Sequence, residues 1–182
     1  IEIPLDEWTF PDFPLPEGRT AEEVLRENAY AGFARRGLEQ IDEYTKRLDY
    51  ELQVIKDKGY SVYFLVVSDL MTYAKEHEIL TNTRGSAAGC LTSYLIGITN
   101  LDPIAYKLPF ERFLNPERPS PPDVDMDIAD DKRDDLIAYA RQKYGEDRVA
   151  QIGTFGTMAA RGSVKDAARA MGYDYKKGDQ IS

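Results

Sequence analysis

The chain of 182 residues has one cysteine, one histidine and no long apolar run. Because a single cysteine cannot form an internal disulfide, Cys90 favours a reducing, cytoplasmic setting. The lone His77 excludes histidine-rich metal sites, so a bound metal would have carboxylate ligands, which indicates magnesium, manganese or calcium. No apolar run approaches the roughly 20 residues that span a bilayer, so we expect no membrane partner.

Acidic residues outnumber basic ones, 32 to 23, and the formal charge is −9. That charge opposes binding to nucleic-acid phosphates, although net charge does not report how charges cluster locally. Seven aspartates fall between Asp123 and Asp135 and account for much of the excess. A cluster this dense repels DNA unless cations neutralise it.

Apolar periodicity predicts a mostly helical N-terminal half. Thr20 followed by Glu23 is a capping-box pattern, which predicts that the first helix begins there. An apolar stripe from Ile41 to Ile55 predicts a second helix, and residues 62–78 repeat the same signal.

The C-terminal half predicts short strands alternating with helices. Residues 79–83 predict a strand that leads into a turn and a buried helix. Residues 123–129 alternate aspartate with apolar side chains, a period of two that is typical of a strand, and a helix follows from about Asp130. Residues 149–155 predict a further strand, before a helix over 157–171. The order predicts an α+β fold with a small sheet covered by helices.

Asp123, Asp125 and Asp127 would project from one face of the predicted strand, about 7 Å apart. Parallel carboxylates repel one another unless cations lie between them, and two divalent cations about 4 Å apart would fit. One alternative is a solvated acidic face, and another is a calcium loop of the EF-hand type. Ile128 and Asp134 stand where that loop needs glycine and glutamate, which excludes it. The pattern therefore favours a metal site.

Two further groups of residues could bind phosphate. The Gly85-Ser86 turn offers backbone N–H groups and a hydroxyl, and Arg84 adds a guanidinium suited to phosphate oxygens. The simpler alternative is that Ser86 caps a helix, which on local evidence is favoured. Arg112 and Arg118 could clamp a triphosphate. Their alternative is a surface salt bridge from each arginine to its neighbouring glutamate.

The motifs that contain these residues, RGSAAGCLTSYLIG, FERFLNPER and PPDVDMDIAD, together resemble the alpha subunit of bacterial DNA polymerase III, the family C replicative polymerases. The resemblance runs from about Phe13 to the end of the sequence. It implies a nucleotidyltransferase palm of the DNA polymerase beta type. Residues 1–156 would form the first palm segment and residues 157–182 the beginning of the thumb, in a chain truncated at both ends.

The same resemblance implies a DNA-directed DNA polymerase that transfers a nucleotide from dNTP to a primer 3′-hydroxyl in chromosome replication, by a two-metal mechanism. It makes Asp123 and Asp125 the catalytic ligands of two magnesium ions, or of manganese, with Asp127 as a supporting acidic residue. It assigns the triphosphate to Arg84, Gly85, Ser86, Arg112 and Arg118. The implied partners are primer–template DNA, dNTP and other replicase subunits in the cytoplasm.

One departure from the family is the segment Thr81-Asn82-Thr83, which stands where Gly-Pro-Gly is usual. The family's third catalytic aspartate would lie beyond Ser182, so we expect the isolated chain to be inactive. Two rival hypotheses remain. One is a small nucleotidyltransferase that acts on a non-DNA substrate, and the other is a non-catalytic module that binds metal or protein.

Overall fold

The computed structural model describes residue 10 and residues 12–118 and 121–181. The chain divides into two compact units between Val149 and Ala150. The predicted division into palm and thumb at residue 156 stays a prediction. The described residues contain seven α-helices and two strands: α1 (Ala21–Arg36), α2 (Asp42–Asp57), α3 (Ser61–Glu76), β1 (Thr81–Arg84), α4 (Leu91–Leu95), β2 (Asp125–Ile128), α5 (Arg133–Tyr144), α6 (Ala160–Ala170) and α7 (Tyr175–Ile181).

The first helix begins and ends as its sequence predicts. Thr20 Oγ1 accepts a hydrogen bond from the Glu23 amide at 3.3 Å, and Glu23 Oε2 accepts one from the Thr20 amide at 3.0 Å. Two helix-end donors are thereby satisfied. Gly37 ends α1 in the left-handed region, at φ +65°, where glycine has no steric penalty.

A helical core fills the N-terminal half. The apolar faces of α1, α2 and α3 pack with α4, and each fully buried leucine or phenylalanine stabilises the fold by about 1.5–3 kcal/mol. The fully buried members include Leu25, Phe33, Leu48, Ile55, Phe64, Leu91, Leu95 and Phe110. The predicted stripes of α2 and α3 are confirmed, except that Ile41 lies ahead of α2 and is half-exposed.

The two strands form one small antiparallel sheet, with Thr81 opposite Ile128 and Arg84 opposite Asp125. A second, smaller cluster of buried side chains (Ala74, Ile79 and Leu136) joins α3, the residues just before β1, and α5. Helices that flank a small sheet confirm the α+β class and the mostly helical N-terminal half.

The predicted strands differ from the observed ones in three places. The strand predicted over residues 79–83 is β1, which begins at Thr81 and ends at Arg84. β2 begins at Asp125 rather than Asp123, because its partner ends at Arg84, where the backbone turns at Gly85. The strand predicted over residues 149–155 is wrong, since residues 149–159 have no regular structure. Ile152 and Phe155 are 95% and 102% exposed, so the apolar pattern has no partner strand or core to pack against.

The second unit contains α6 and α7, which pack against each other. A methyl group built at Gly178 of α7 would lie 3.3 Å from the Lys165 Cα of α6, so the two backbones approach closely. Lys165 also forms an ion pair with Asp179. In the parts of the chain that the structure describes, no helix has both the length and the apolar character to cross a bilayer.

Candidate nucleotide and metal site

The acidic strand presents its aspartates to solvent. The side chains of Asp123, Asp125 and Asp127 are exposed. The apolar side chains that alternate with them are partly buried, with Val124 and Met126 against the main core and Ile128 against the smaller cluster. The predicted alternation is therefore confirmed, although only Asp125 and Asp127 lie within β2.

Arg84 and Asp127 form an ion pair between the two strands, at diagonal rather than directly opposite positions. Arg84 Nε donates a hydrogen bond to Asp127 Oδ2 at 2.5 Å, and both side chains are about half exposed. The hydrogen bond and charge of Asp127 raise the pKa of Arg84, and the nearby charge of Asp125 raises this pKa further. The guanidinium thus neutralises Asp127 directly and lies within the field of Asp125.

The turn after β1 lies beside the acidic strand. Gly85 has φ +79°, a conformation that side chains with a Cβ rarely adopt. A methyl group built there would lie 3.5 Å from Asp125 Oδ2. The antiparallel pairing of β1 with β2 produces this proximity, because Arg84 is opposite Asp125 and the turn follows at once.

Ser86 does not cap a helix. It is the second residue of a 3₁₀ segment, Gly85–Gly89, and its side chain is exposed. The next helix, α4, has Cys90 as its N-cap, and Cys90 Sγ accepts a hydrogen bond from the Ser93 amide at 3.4 Å. The capping alternative for Ser86 is wrong because the 3₁₀ segment separates Ser86 from the helix. The Ser86 hydroxyl has no hydrogen-bond partner among the described residues.

A cavity of about 330 Å³ opens beside the turn. Three of the five residues predicted to bind triphosphate line it, namely Gly85, Ser86 and Arg112. Arg84 faces the acidic strand instead. Arg118 is not among the lining residues, and its carbonyl accepts a hydrogen bond from Lys58 Nζ at 2.6 Å. The remaining lining residues are Ala88, Gly89, Leu108 and Pro109.

The salt bridges proposed as the alternative for the two arginines do not form. Within residues 12–118 and 121–181, neither Arg112 nor Arg118 has a carboxylate within 4 Å. Glu111 instead accepts a hydrogen bond from the Tyr50 hydroxyl at 3.2 Å. Arg112 therefore presents an exposed guanidinium at the cavity without an ionic partner in the described chain.

Sequence analysis missed a buried carboxylate behind the cavity. Glu51 of α2 is 0% exposed, and it accepts hydrogen bonds from the amides of Leu91 and Thr92 at 3.0 and 2.8 Å. Arg47 Nε donates to Glu51 Oε1 at 2.7 Å. Burial raises the pKa of Glu51, and the hydrogen bonds from Thr92, Leu91 and Arg47 oppose that rise. A glutamate within the apolar stripe of α2 was the signal that could have revealed it.

Tyr63 of α3 is a second residue that sequence analysis missed. Its pKa is raised first by burial, and the negative charges of Asp123 and Asp125 raise it further. Tyr63 is partly buried against the main core, against which Val124 of the acidic segment also packs. Nothing in the sequence distinguishes it from Tyr73, the other tyrosine of α3.

The exposed carboxylates of the acidic segment are of the type that holds a magnesium ion. The described residues contain no group of three or more histidine, cysteine or acidic side chains that could hold a metal. However, Mg²⁺ is commonly held by one or two carboxylates together with substrate phosphates. Asp123 and Asp125 provide two exposed carboxylates of this type, whereas Asp127 is already paired with Arg84.

Comparison with known proteins identifies the family. The sequence profile of the family described as the bacterial DNA polymerase III alpha NTPase domain matches residues 23–182. This chain belongs to that family. It is 45% identical over its whole length to the DNA polymerase III subunit alpha of Bacillus subtilis. Over 96% of its length it is 46% identical to that of Aquifex aeolicus, and over 75% it is 52% identical to that of Deinococcus radiodurans.

The chain is short relative to those family members. It spans 16% of the Bacillus subtilis and Aquifex aeolicus proteins and 10% of the Deinococcus radiodurans protein. The family match covers both units of the chain, including the strand pair, the turn and the acidic residues described above.

Proposed function

We propose that this chain forms part of the catalytic palm of a DNA-directed DNA polymerase active in chromosome replication. The observation that supports this best is the strand pairing that brings the Gly85 turn beside Asp125. A carboxylate beside a cavity that is lined by the Gly85–Ser86 turn and Arg112 is an arrangement suited to nucleotidyl transfer. Family membership supports the same function.

In this proposal Asp123 and Asp125 hold magnesium, or manganese in its place. When bound, a pair of such ions neutralises phosphate charge and lowers the pKa of the attacking hydroxyl. Asp127 has a supporting role, since it fixes Arg84 through their ion pair. Fixing the guanidinium reduces the conformational entropy that Arg84 would otherwise lose when substrate binds.

The triphosphate of dNTP would occupy the cavity beside the turn. Gly85 allows a close approach to the backbone, and Ser86 offers a hydroxyl without a competing partner in the described residues. Arg112 supplies a guanidinium that can bind two phosphate oxygens at once. Arg118, six residues further on, would add positive charge nearby, and Arg84 would act from the strand side.

The wider assignment follows from the family. Residues 1–156 would be the first palm segment, of the DNA polymerase beta type, and residues 157–182 the beginning of the thumb. The partners would be primer–template DNA, dNTP and other replicase subunits in the cytoplasm. We expect the 182-residue chain alone to be inactive, because the two carboxylates of Asp123 and Asp125 do not complete a two-metal site.

Primer extension by a full-length alpha subunit that carries this sequence tests the proposal. Asp123→Asn and Asp125→Asn should each lower kcat by a factor on the order of 10²–10³ with magnesium or manganese present. Asp134→Asn is the matched control, because Asp134 belongs to the same acidic run but lies in the first turn of α5. Full activity of Asp125→Asn would refute the proposal, and transfer that needs no template would indicate the rival nucleotidyltransferase.

A further inference from the structure

The cavity beside the turn has two walls that touch. We call residues Gly85–Gly89 the turn wall and residues Leu108–Arg112 the proline wall; both line the cavity. A methyl group built at Gly89 would lie 2.6 Å from the Pro109 carbonyl oxygen, which is closer than Cβ atoms approach. The two backbones are therefore in direct contact where both line the cavity.

One side chain joins the two walls from behind. Arg47 of α2 donates from Nη2 to the Gly89 carbonyl at 2.9 Å and to the Leu108 carbonyl at 3.2 Å. Gly89 ends the turn wall and Leu108 begins the proline wall, although the two residues are far apart in sequence. A planar guanidinium with several fixed donors is well suited to hold two carbonyls at a set distance.

Glu51 fixes that guanidinium and the chain beyond the turn wall. Its Oε1 accepts from Arg47 Nε, while Oε2 accepts from the Thr92 amide and from the Thr92 hydroxyl at 3.0 Å. Thr92 lies in α4, directly after the turn wall. The carboxylate is fully buried and Arg47 is one-quarter exposed, so water competes little for these bonds.

We propose that Arg47 and Glu51 are positioning residues that set the width of the nucleotide cavity, an inference that rests on the proposed polymerase function. They touch no substrate. They act through the carbonyls of Gly89 and Leu108 and through the start of α4, and thereby hold the two walls, which carry Ser86 and Arg112, at a fixed separation. No sequence motif used for the function contains either residue.

The test separates positioning from folding by removing first one charge and then both, in a full-length alpha subunit that carries this sequence. Arg47→Met should lower the melting temperature, because it leaves the buried Glu51 carboxylate without its cation. Arg47→Met combined with Glu51→Gln removes both charges and should recover at least half of that loss. The matched control is Arg26→Met with Asp49→Asn, an exposed ion pair that also ends on α2 but reaches neither wall.

The decisive measurements are KM for dNTP, kcat and the Kd for primer–template DNA. The double variant at positions 47 and 51 should keep a KM raised on the order of 10- to 100-fold although its melting temperature has recovered, because the walls are no longer held together. Its Kd for primer–template should not change, and the control pair should change neither constant. Arg47→Lys keeps the positive charge and one donor nitrogen. Its KM for dNTP should therefore lie between that of the wild type and that of Arg47→Met.

Two outcomes would overturn the inference. If KM returns to the wild-type value together with the melting temperature, the pair serves stability alone. If KM and the Kd for primer–template rise together, the effect is not confined to the cavity. Asp125→Asn measured on the same protein tells these failures apart from failure of the proposed function, since only the latter would leave its kcat unchanged.

Discussion

The acidic strand and the buried end of α2 place negative charge in opposite environments. Asp123 and Asp125 are exposed, and no cation of the described chain lies within ion-pair distance of either carboxylate. Glu51 is fully buried, and five different groups donate hydrogen bonds to its two oxygens. A carboxylate whose bonds are all made within the chain supports the fold, whereas one without partners is available to bind a ligand.

The two regions are nevertheless connected. Glu51 and Arg47 contact the segment that leads away from the Gly85 turn, and the turn itself adjoins Asp125. The buried Glu51 therefore supports the segment that adjoins the exposed Asp125. A substitution in the buried region should affect stability more than it affects the site. A substitution in the acidic strand should affect the site more than it affects stability.

The largest expected effect on stability is at the buried Glu51, and it tests the contrast between buried and exposed carboxylates. Glu51→Ala should lower the free energy of unfolding by about 3–5 kcal/mol, because Arg47 loses its partner and two buried amides of α4 lose their acceptor. Chemical denaturation of the chain measures this loss. Asp49→Ala is the matched control, since its exposed ion pair with Arg26 should contribute about 1 kcal/mol or less. Equal losses for the two variants would contradict the contrast between buried and exposed charge.

Gly85→Ala tests the turn that links the two regions. A left-handed conformation costs a residue with a Cβ about 1–2 kcal/mol, which should appear as lost stability. Gly18→Ala is the control, because Gly18 also has positive φ, at +72°, in a turn outside the site. Both variants should lose similar stability in denaturation, but only Gly85→Ala should weaken dNTP binding in a full-length subunit. Equal dNTP affinity of the two would show that the turn is not part of the nucleotide site.

Magnesium binding tests whether the exposed carboxylates of the acidic strand are available to a ligand. If Asp123 and Asp125 form a site with a Kd of about 1 mM, then about 10 mM MgCl₂ should stabilise the chain by about 1.4 kcal/mol. Asp125→Asn should abolish that gain, and sodium chloride of equal ionic strength should not reproduce it. Thermal unfolding with and without each salt measures the difference. The same gain in the Asp125→Asn variant would show that magnesium binds elsewhere.

The parts of the fold that sequence predicts well are those in which one local signal is sufficient. The capping box at Thr20 and Glu23 fixes the start of α1 within four residues. The alternation of aspartate and apolar side chains likewise fixes which side of the acidic segment faces solvent. In each case the residues that decide the structure are close together in the sequence.

The parts that sequence analysis predicts poorly depend on a distant partner. The apolar pattern at Ile152 and Phe155 predicts a strand, but a strand exists only where another chain segment pairs with it. The capping role favoured for Ser86 fails for the same reason, since Ser86 lies within a 3₁₀ segment whose last residue, Gly89, contacts the distant Pro109. The contacts of Glu51 join α2 to residues about 40 positions away, beyond the reach of any periodicity.

The hydrogen bond between Tyr44 and Asp102 provides the smallest test, because Asp102 lies between the two extremes of burial. The Tyr44 hydroxyl donates to Asp102 Oδ2 at 2.6 Å, and Asp102 Oδ1 accepts from the Ile104 amide at 2.9 Å. That hydrogen bond, with partial burial, raises the pKa of Tyr44 to about 12. Since the pKa of an unfolded tyrosine is about 10, the folded chain favours the neutral phenol.

The stability contributed by this bond should therefore be complete below about pH 10 and disappear as the pH rises towards about 12. At neutral pH, Tyr44→Phe should lower the free energy of unfolding by about 0.5–1 kcal/mol. The gap between the variant and the wild type should close over that alkaline window, because only the wild type then has a phenolate that repels Asp102. Tyr106→Phe, at an exposed tyrosine, should show no such gap at any pH. A difference in stability between wild type and Tyr44→Phe that stays constant to pH 12 would mean that Asp102 does not raise the pKa of Tyr44. The partly buried Asp102 would then contribute no more to the fold than an exposed carboxylate of the acidic strand.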